Sequence, residues 1–456
     1  MTFDPTLAAF RFGTGLSPHY APPESIEAIL ADVAGLDLMA KEHPVPLFSN
    51  VSPNPADMVR ANRARADARG TQGYDAAEAY RVQLNGQARL RKVHNLGAEV
   101  ARMVDAPVGF RERLVAFWAD HFTVTARNGA MAHYVTPYIE ETIRPNISGR
   151  FEEMLISVVT HPMMLTYLQQ GQSIGPNSTQ GLRQKKGLNE NLAREVLELH
   201  TLGVDGPYTQ TDVTEFAELL TGLYYHRVNG FDYIPTRAEP GAETILGVTY
   251  SDDASLETVR AGLHGLARHP ATSAHLANKL VVHFVSGRPD AGLVAAVTEA
   301  LFDGTLFDAY AALLSHPAAW TQTRDKVRTP QEYIAAGMRA LGVSGDTLAS
   351  ATIRHIQSNI EAPMRVMGQP WQRPIGPDGW PEDPAAWIIP QAMAGRISWA
   401  MRAPTRLLDT LPDPREFVAT ALGPNADAAV GFAAGAAETR ADGIGVVLAS
   451  AAFQRR

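Results

Sequence analysis

Four polar residues lie at positions where metal binding or proton transfer could occur inside a helical core. His200 falls near the middle of the apolar sector of NLAREVLELHTLG when successive residues are placed about 100° apart around a helix axis. Glu195 lies at the edge of the same sector. His121 continues the apolar stripe of RERLVAFWADHF, and His161 immediately precedes Pro162 at a predicted helix start. A histidine that faces an apolar interior suggests a functional role, because an unperturbed imidazole titrates near neutral pH.

We predict that imidazoles from separate helices converge in one site. Three nitrogen ligands and one carboxylate would suit a divalent transition metal such as iron, zinc or copper. Glu195 would ligate the metal or orient the histidines, and without a metal Glu195 and His200 would act as catalytic acid–base groups. The predicted metal ligands are His121, His161, His200 and Glu195.

A structural interpretation of these residues stays open beside the functional one. A histidine on an apolar face is often a core residue whose ring bonds to a carbonyl or a carboxylate. Glu195 would then be the ion-pair partner of an arginine such as Arg144 or Arg194. The distance between the rings of His121 and His200 is the observation that separates the two interpretations.

Several established catalytic and metal-binding motifs are absent from the sequence. It contains neither the zinc-protease pattern H-E-x-x-H nor, at His200, the Glu-x-x-His of di-iron bundles, because Leu197 stands three residues earlier. The Walker sequence and a strand-linked G-x-G-x-x-G are also missing. Any metal ligands of His200 must therefore come from other segments.

The composition excludes several classes of protein. A hydrophobic share of 45% with 19% charged residues is typical of a soluble globular protein. A net charge of −8 over 456 residues argues against a general nucleic-acid surface. The absence of cysteine excludes disulfides, thiolate metal sites and cysteine nucleophiles. The N-terminal residues lack a signal-peptide pattern and no apolar stretch is long enough to span a membrane, so we expect a cytoplasmic protein.

Helical spacing dominates the chain and predicts an all-α fold, a multi-helix orthogonal or bundle-like array. We expect one helical domain over residues 1–456, with the open alternative of sub-lobes 1–225 and 256–456 joined by 226–255. A small β-hairpin is predicted near 226–250, where the strand-like ETILGVTY follows an Asn-Gly turn. The segment 189–222 should form a helical hairpin, with a stop at Gly203 and a capping box of Thr209 and Asp212 at the start of its second helix.

A Pro/Trp-rich loop spans residues 368–390, GQPWQRPIGPDGWPEDPAAWIIP. A loop of this length inside a compact domain is usually functional or disordered, and its three tryptophans argue against disorder. We expect a packed surface strap; a lid or a partner-docking segment is the alternative.

Several long segments resemble a bacterial family catalogued as a domain of unknown function, number eighteen hundred. The resemblance begins at AFRFGTGLSP and includes FWADHFTV and KVRTPQEYIAAGMRALG. NENLAREVLELHTLGVDGPYTQTDV is its most specific part, and the match continues through MGQPWQRPIGPDGWP. The chain is identified as a member over nearly its whole length.

The resemblance implies a partner and a compartment but no activity. Genes of the family often lie beside those of a sulfatase-like family, number fifteen hundred and one, which implies a functional partner. Many relatives look exported, which makes a periplasmic location the alternative to the cytoplasm. The usual family form F-W-H-N-H-F has histidine and asparagine where this chain has Ala119 and Asp120. That departure would alter any site that needs two histidines on this helix.

Two hypotheses of function follow. The first is a metal-dependent or His/Glu acid–base enzyme, an oxidoreductase or a hydrolase, with its site in the helical core. The second is a non-catalytic binding or assembly protein that works with the sulfatase-like partner. We favour the enzyme because two histidines are predicted to face inward from separate helices.

Overall fold

The computed structural model describes residues 3–126, 129–424 and 426–456 and consists mainly of helices, as predicted. No helix within these residues is long and apolar enough to cross a membrane. The helices of the N-terminal part are Pro5–Arg11, Ile26–Ala34, Leu38–Glu42, Pro55–Asp67, Tyr74–Asp105, Phe110–His121, Val135–Thr142, Phe151–Val159, Pro162–Tyr167, Thr179–Gln184, Asn191–Glu195 and Gln210–Leu219.

The remaining helices extend from the strands to the end of the chain. They are Leu256–Ala267, Pro270–Phe284, Ala291–Asp303, Leu306–Ser315, Pro330–Ala340, Gly345–Ala349, Ile353–Ile356, Ala362–Val366, Pro390–Leu407, Pro414–Leu422, Ala428–Gly435, Arg440–Ala449 and Ala451–Gln454. Two π-helical turns, Val196–Thr201 and Gln357–Glu361, continue the helices before them. Short 3₁₀ turns occupy Phe48–Asn50, Gly129–Tyr134, Arg144–Asn146, Gln170–Gln172, Pro235–Arg237, Pro317–Trp320 and Pro384–Trp387.

Local sequence signals explain where many helices begin. Thr209 and Asp212 form the predicted capping box, in which each side chain accepts a hydrogen bond from the other residue's backbone N–H. Thr329 and Glu332 do the same, with Pro330 at the first helical position. These contacts satisfy backbone N–H groups that have no partner within the helix.

The strands form two separate short hairpins. Leu223–His226 pairs antiparallel with Gly230–Tyr233, so the predicted Asn-Gly turn is present. Thr244–Ile245 pairs with Val248–Thr249 across Leu246 and Gly247, which both have positive φ. A two-residue turn of that kind matches the twist of a hairpin, so ETILGVTY closes on itself rather than pairing with the preceding segment.

Buried apolar side chains form two large clusters. The first draws on helices between Pro5–Arg11 and Leu306–Ser315, and Trp118 lies within it. The second draws on the helices from Pro330–Ala340 onward, with Trp399 within it. The division into sub-lobes 1–225 and 256–456 stays a prediction, because clusters of packed side chains do not define units that fold independently.

The two halves of the longest helix, Tyr74–Asp105, pack in different surroundings. Its C-terminal half contributes buried residues from Val93 to Val104 to the second cluster. Its N-terminal half packs against Pro55–Asp67 around only three buried apolar residues, Met58, Ala61 and Leu84. The helix therefore joins a thin helical hairpin to the body of the protein.

Candidate functional site

Two of the predicted histidines, His121 and His200, lie at a junction of three helical segments. His121 ends the 110–121 helix, and His200 lies in the π-helical turn that follows Asn191–Glu195. The 270–284 helix presents His275, Lys279 and His283 at intervals of four residues, which places them on one face. The sequence predicted an ordinary α-helix through His200; the π turn is a difference from that prediction.

The structure brings His121 and His200 together. Each is only 2% exposed, and their ring centroids lie 5.9 Å apart. Nε2 of His121 lies 3.2 Å from the backbone carbonyl of His200, and because a carbonyl only accepts, this nitrogen carries the proton. Nδ1 of both rings has no hydrogen-bond partner among the described residues. The two rings lie close together, but Nε2 of His121 already donates a hydrogen bond to a main-chain oxygen.

The π turn explains that main-chain contact. Nε2 of His275 lies 3.3 Å from the carbonyl of Leu199, as Nε2 of His121 does from the next carbonyl. Carbonyls in the last turn of a helix lack partners within the helix, and histidine side chains commonly supply them. The two imidazoles thus cap the end of the helix, immediately before Gly203 at φ +90°.

Burial keeps these imidazoles neutral. It lowers the pKa of His200 to about 3 and that of His121 well below its usual value, with Lys279 and His275 adding to both effects. A group that accepts a proton only in strong acid is a poor match for proton transfer near neutral pH.

His161 has a different position. Its Nδ1 accepts a hydrogen bond from the backbone N–H of Met163 at 3.1 Å, so it caps the 162–167 helix. The His-Pro steps at His269 and His316 start helices in the same way. The ring of His161 contacts Phe48 and Tyr138, and no contact with His121 or His200 is found within the described residues.

Glu195 lies at the protein surface near this junction and is half-buried. Burial raises its pKa to about 7, and the nearby carboxylates of Glu198 and Asp378 add to the effect. Among the described residues Glu195 makes no ion pair with an arginine, since Arg194 pairs with Glu190 and Glu198, at 3.0 and 3.1 Å. Arg144 pairs instead with Asp37, Glu112 and Glu140.

The described residues contain no group of three or more His, Asp or Glu side chains arranged to hold a metal ion. The four predicted ligands therefore do not assemble as one set. We accordingly derive no chemical step through a metal.

A cavity of about 160 Å³, the central cavity, lies beside this junction. The 74–105, 110–121 and 135–142 helices form its walls, and the Pro/Trp-rich loop covers it with all three of its tryptophans. The loop packs against the cavity, as expected of a strap, and its action as a lid stays a prediction. Ala119 and Asp120 both line the cavity, so the departure from the usual family form falls on its wall.

Asp120 fastens the loop over the cavity. Its Oδ1 accepts a hydrogen bond from the backbone N–H of Trp380 at 2.9 Å. Gly379, at φ +84°, lies so close that a Cβ there would come within 2.7 Å of both carboxylate oxygens. Among the described residues no donor reaches Oδ2.

Burial raises the pKa of Asp120 to about 7. The hydrogen bond from Trp380 and the positive charge of Lys279 act against this shift, while the carboxylates of Glu382 and Asp378 add to it. Lys279 itself is largely buried and has no hydrogen bond or ion pair among the described residues, and burial lowers its pKa.

Glu99 is the second carboxyl of the cavity with a raised pKa. It accepts hydrogen bonds from Thr136 Oγ1 at 2.8 Å, Trp371 Nε1 at 2.8 Å and Gln372 Nε2 at 3.1 Å. Burial outweighs these contacts and raises its pKa to about 7. Glu99 is thus held in place by its neighbours, whereas Asp120 keeps one oxygen free.

The other acidic residues of the cavity have cationic partners. Glu140 pairs with Arg102 at 2.6 Å, and Glu112 pairs with Arg144. Glu332 lies 3.1 Å from both Arg113 and Arg456. Glu382 accepts from His283 at 2.5 Å and from Lys326 at 2.6 Å.

Sequence reasoning missed Glu99, Lys279 and the loop carboxylate Glu382. A signal for Lys279 was present, since it falls at i+4 from His275 and i−4 from His283 on a helix with an apolar stripe. Glu99 gave no such signal, because its environment comes from distant segments around Thr136 and Trp371.

Comparison with known proteins gives one match. A family model described as a protein of unknown function, DUF1800, matches residues 11–455. No curated protein and no solved structure matches the chain.

Proposed function

The chain belongs to the DUF1800 family, whose description assigns no activity, and from the site itself we propose an acid–base enzyme that acts on a small molecule in the central cavity. Asp120 would transfer the proton through its free Oδ2, and Glu99 would bind and orient the substrate. The Pro/Trp-rich loop would exclude water.

One observation supports this proposal above the others: Asp120 and Glu99 line the same covered cavity and both have a pKa of about 7. Proton transfer is most efficient when the pKa of the group lies near the operating pH. Buried His200, with a pKa of about 3, fits that requirement less well. Carboxyl groups that lie in a cleft and have a pKa raised this far are candidates for functional residues.

The proposal is tested with a panel of small metabolites. Ligands that raise the melting temperature are incubated with the protein at pH 7, and products are identified by mass spectrometry. Asp120→Asn should keep the ligand-induced shift but lower kcat by ~10²–10⁴-fold. Full activity of this variant on a substrate of the wild-type protein would contradict the proposed role.

The sequence-based roles of Glu195 and His200 stay predictions, and the same assay tests them. Glu195→Gln and His200→Gln should lower activity as strongly as Asp120→Asn if the reaction centre lies at the helix junction. Elemental analysis for iron, zinc and copper in the purified protein tests the metal-dependent version, in which stoichiometric metal should disappear in the His200 variant.

A docking function has one observation in its favour. The Pro/Trp-rich loop exposes Ile375 completely and leaves Ile388 and Ile389 about half exposed. Exposed apolar residues on one segment favour a protein contact. Co-purification with the sulfatase-like neighbour, lost in Ile375→Ser, would support this alternative.

A further inference from the structure

We propose that the central cavity binds a small organic cation, such as a quaternary or protonated amine. This inference names the substrate class of the function proposed above and rests on it. Four observations carry it: the uncompensated charges, the aromatic cover, the free carboxylate oxygen and the size of the cavity.

Two acids of the cavity have no ion pair within the described residues. Glu112, Glu140, Glu332 and Glu382 each lie within ion-pair distance of an arginine or lysine. Glu99 and Asp120 do not, although the positive charge of Lys279 acts on Asp120. A buried carboxylate without a partner is costly, and a bound cation would remove that cost.

The cover of the cavity is aromatic. Trp371 and Trp387 are 4% and 3% exposed, and the rings of Trp380 and Trp387 lie 6.0 Å apart. Aromatic faces attract cations, and cages of aromatic residues recognise quaternary ammonium groups. The ammonium group of Lys92 already lies 5.5 Å from the centre of the Trp371 ring.

Hydrogen bonding distinguishes the two acids. Glu99 has donors on both oxygens, from Thr136, Trp371 and Gln372. Oδ2 of Asp120, a residue that lines the cavity, has none among the described residues. Asp120 can therefore accept an N–H or O–H of the ligand, while Glu99 contributes charge.

The volume limits the ligand. Cavities of roughly 150 Å³ admit a molecule of about the size of benzene. The central cavity, at about 160 Å³, is large enough for a compact cation of choline size.

One neighbouring group opposes a cation. The positive charge of Lys279 acts on Asp120, while Glu382 and Asp378 act in the opposite sense. The groups that act on Glu99 are Glu140 and Arg102, which pair with each other. Removal of the Lys279 charge should therefore tighten cation binding, whereas removal of either unpaired carboxyl should weaken it.

The experiment compares isosteric ligands on the full chain by calorimetry and thermal shift. Choline and tetramethylammonium should bind at millimolar concentration or below, and 3,3-dimethyl-1-butanol, the neutral isostere of choline, should bind at least about tenfold more weakly. Binding should tighten as the pH rises through about 7, because the carboxyls ionise there. Equal binding of the neutral isostere, preference for trimethylacetate or inositol, or no binding of either cation would overturn the proposal.

Variants confirm the location. Asp120→Asn and Glu99→Gln should each weaken choline binding about tenfold, and Lys279→Met should strengthen it. Glu198→Gln, outside the cavity and paired with Arg194, is the control and should bind choline as the wild type does. Unchanged affinity in both cavity variants would overturn the proposal even if all fold normally.

Failure of this inference is distinguishable from failure of the enzyme. Turnover of a neutral substrate without cation binding would leave acid–base function in the cavity and remove the substrate class. Cation binding without any turnover in the metabolite panel would leave a binding site and remove the enzyme.

Discussion

Asp120 and Glu99 reduce the stability of the fold at neutral pH. Their folded-state pKa values of about 7 lie above the values near 4 of an unfolded chain. Between these values the folded protein binds more protons than the unfolded one, so the free energy of unfolding falls as pH rises. The loss is complete above pH 7.

We therefore expect Asp120→Asn and Glu99→Gln to stabilise the protein. Each should raise the free energy of unfolding by roughly 1–3 kcal/mol at pH 8, because the amide cannot ionise, and should give no gain near pH 4. Urea denaturation at both pH values measures the effect. A gain that is equal at both pH values would contradict the raised pKa, and a loss at pH 8 would show that the carboxylates stabilise the cavity.

At this scale the sequence predicted which residues would be buried but not what they contact. His121 and His200 face inward and meet, as their apolar stripes indicated. The hydrogen-bond partners of their ring nitrogens were not predictable, because the carbonyl that His121 contacts belongs to the last turn of another helix. Helical periodicity predicts a face, whereas hydrogen-bond partners depend on the packing of distant segments.

At the scale of elements, the position of the Pro/Trp-rich loop depends on one glycine, Gly379. Gly379 has φ +84°, and a Cβ there would overlap the carboxylate of Asp120. Gly230 has φ +93° in a hairpin, with nothing within 4 Å of its Cβ position. The two positions share the backbone cost of a side chain and differ only in the steric contact.

Gly379→Ala should thus loosen the loop, whereas Gly230→Ala should not. Both substitutions should cost about 1 kcal/mol through their positive φ. Only Gly379→Ala should speed amide hydrogen exchange and proteolysis within residues 368–390. Equal protection of the loop in the two variants would show that the contact with Asp120 does not hold it closed.

Helices and their starts were predictable because their signals are local. The capping box at Thr209 and the stop at Gly203 are present as expected. The loop's position over the cavity was less accessible to prediction, since it depends on a contact between Trp380 and Asp120. Composition indicated an ordered loop but not the surface on which it packs.

At the scale of the molecule, Glu332 connects the two large apolar clusters. It begins a helix of the second cluster and pairs with Arg113 of the first and with Arg456, both at 3.1 Å. Burial opposes its ionisation, but the two arginines lower its pKa to about 2. This stabilising contribution is present above about pH 4.5 and is lost as the pH falls towards 2.

Glu332→Gln should destabilise the whole molecule by about 3–5 kcal/mol at pH 7, because two buried guanidinium groups lose their counter-charge. Urea denaturation should show the loss at pH 7, and the difference from wild type should shrink as the pH falls below 4.5. Glu257→Gln, in an exposed pair with Arg260 at 3.6 Å, is the matched control and should leave stability unchanged. Comparable effects in the two variants would contradict the connecting role.

The helical hairpin of residues 55–67 and 74–90 has a consequence for the native ensemble. Three buried apolar residues hold it, while dozens hold each of the main clusters. Its opening therefore requires far less free energy than global unfolding. In solution the protein should repeatedly visit conformers with this extension frayed and the rest intact, a partial melting that a single melting temperature conceals.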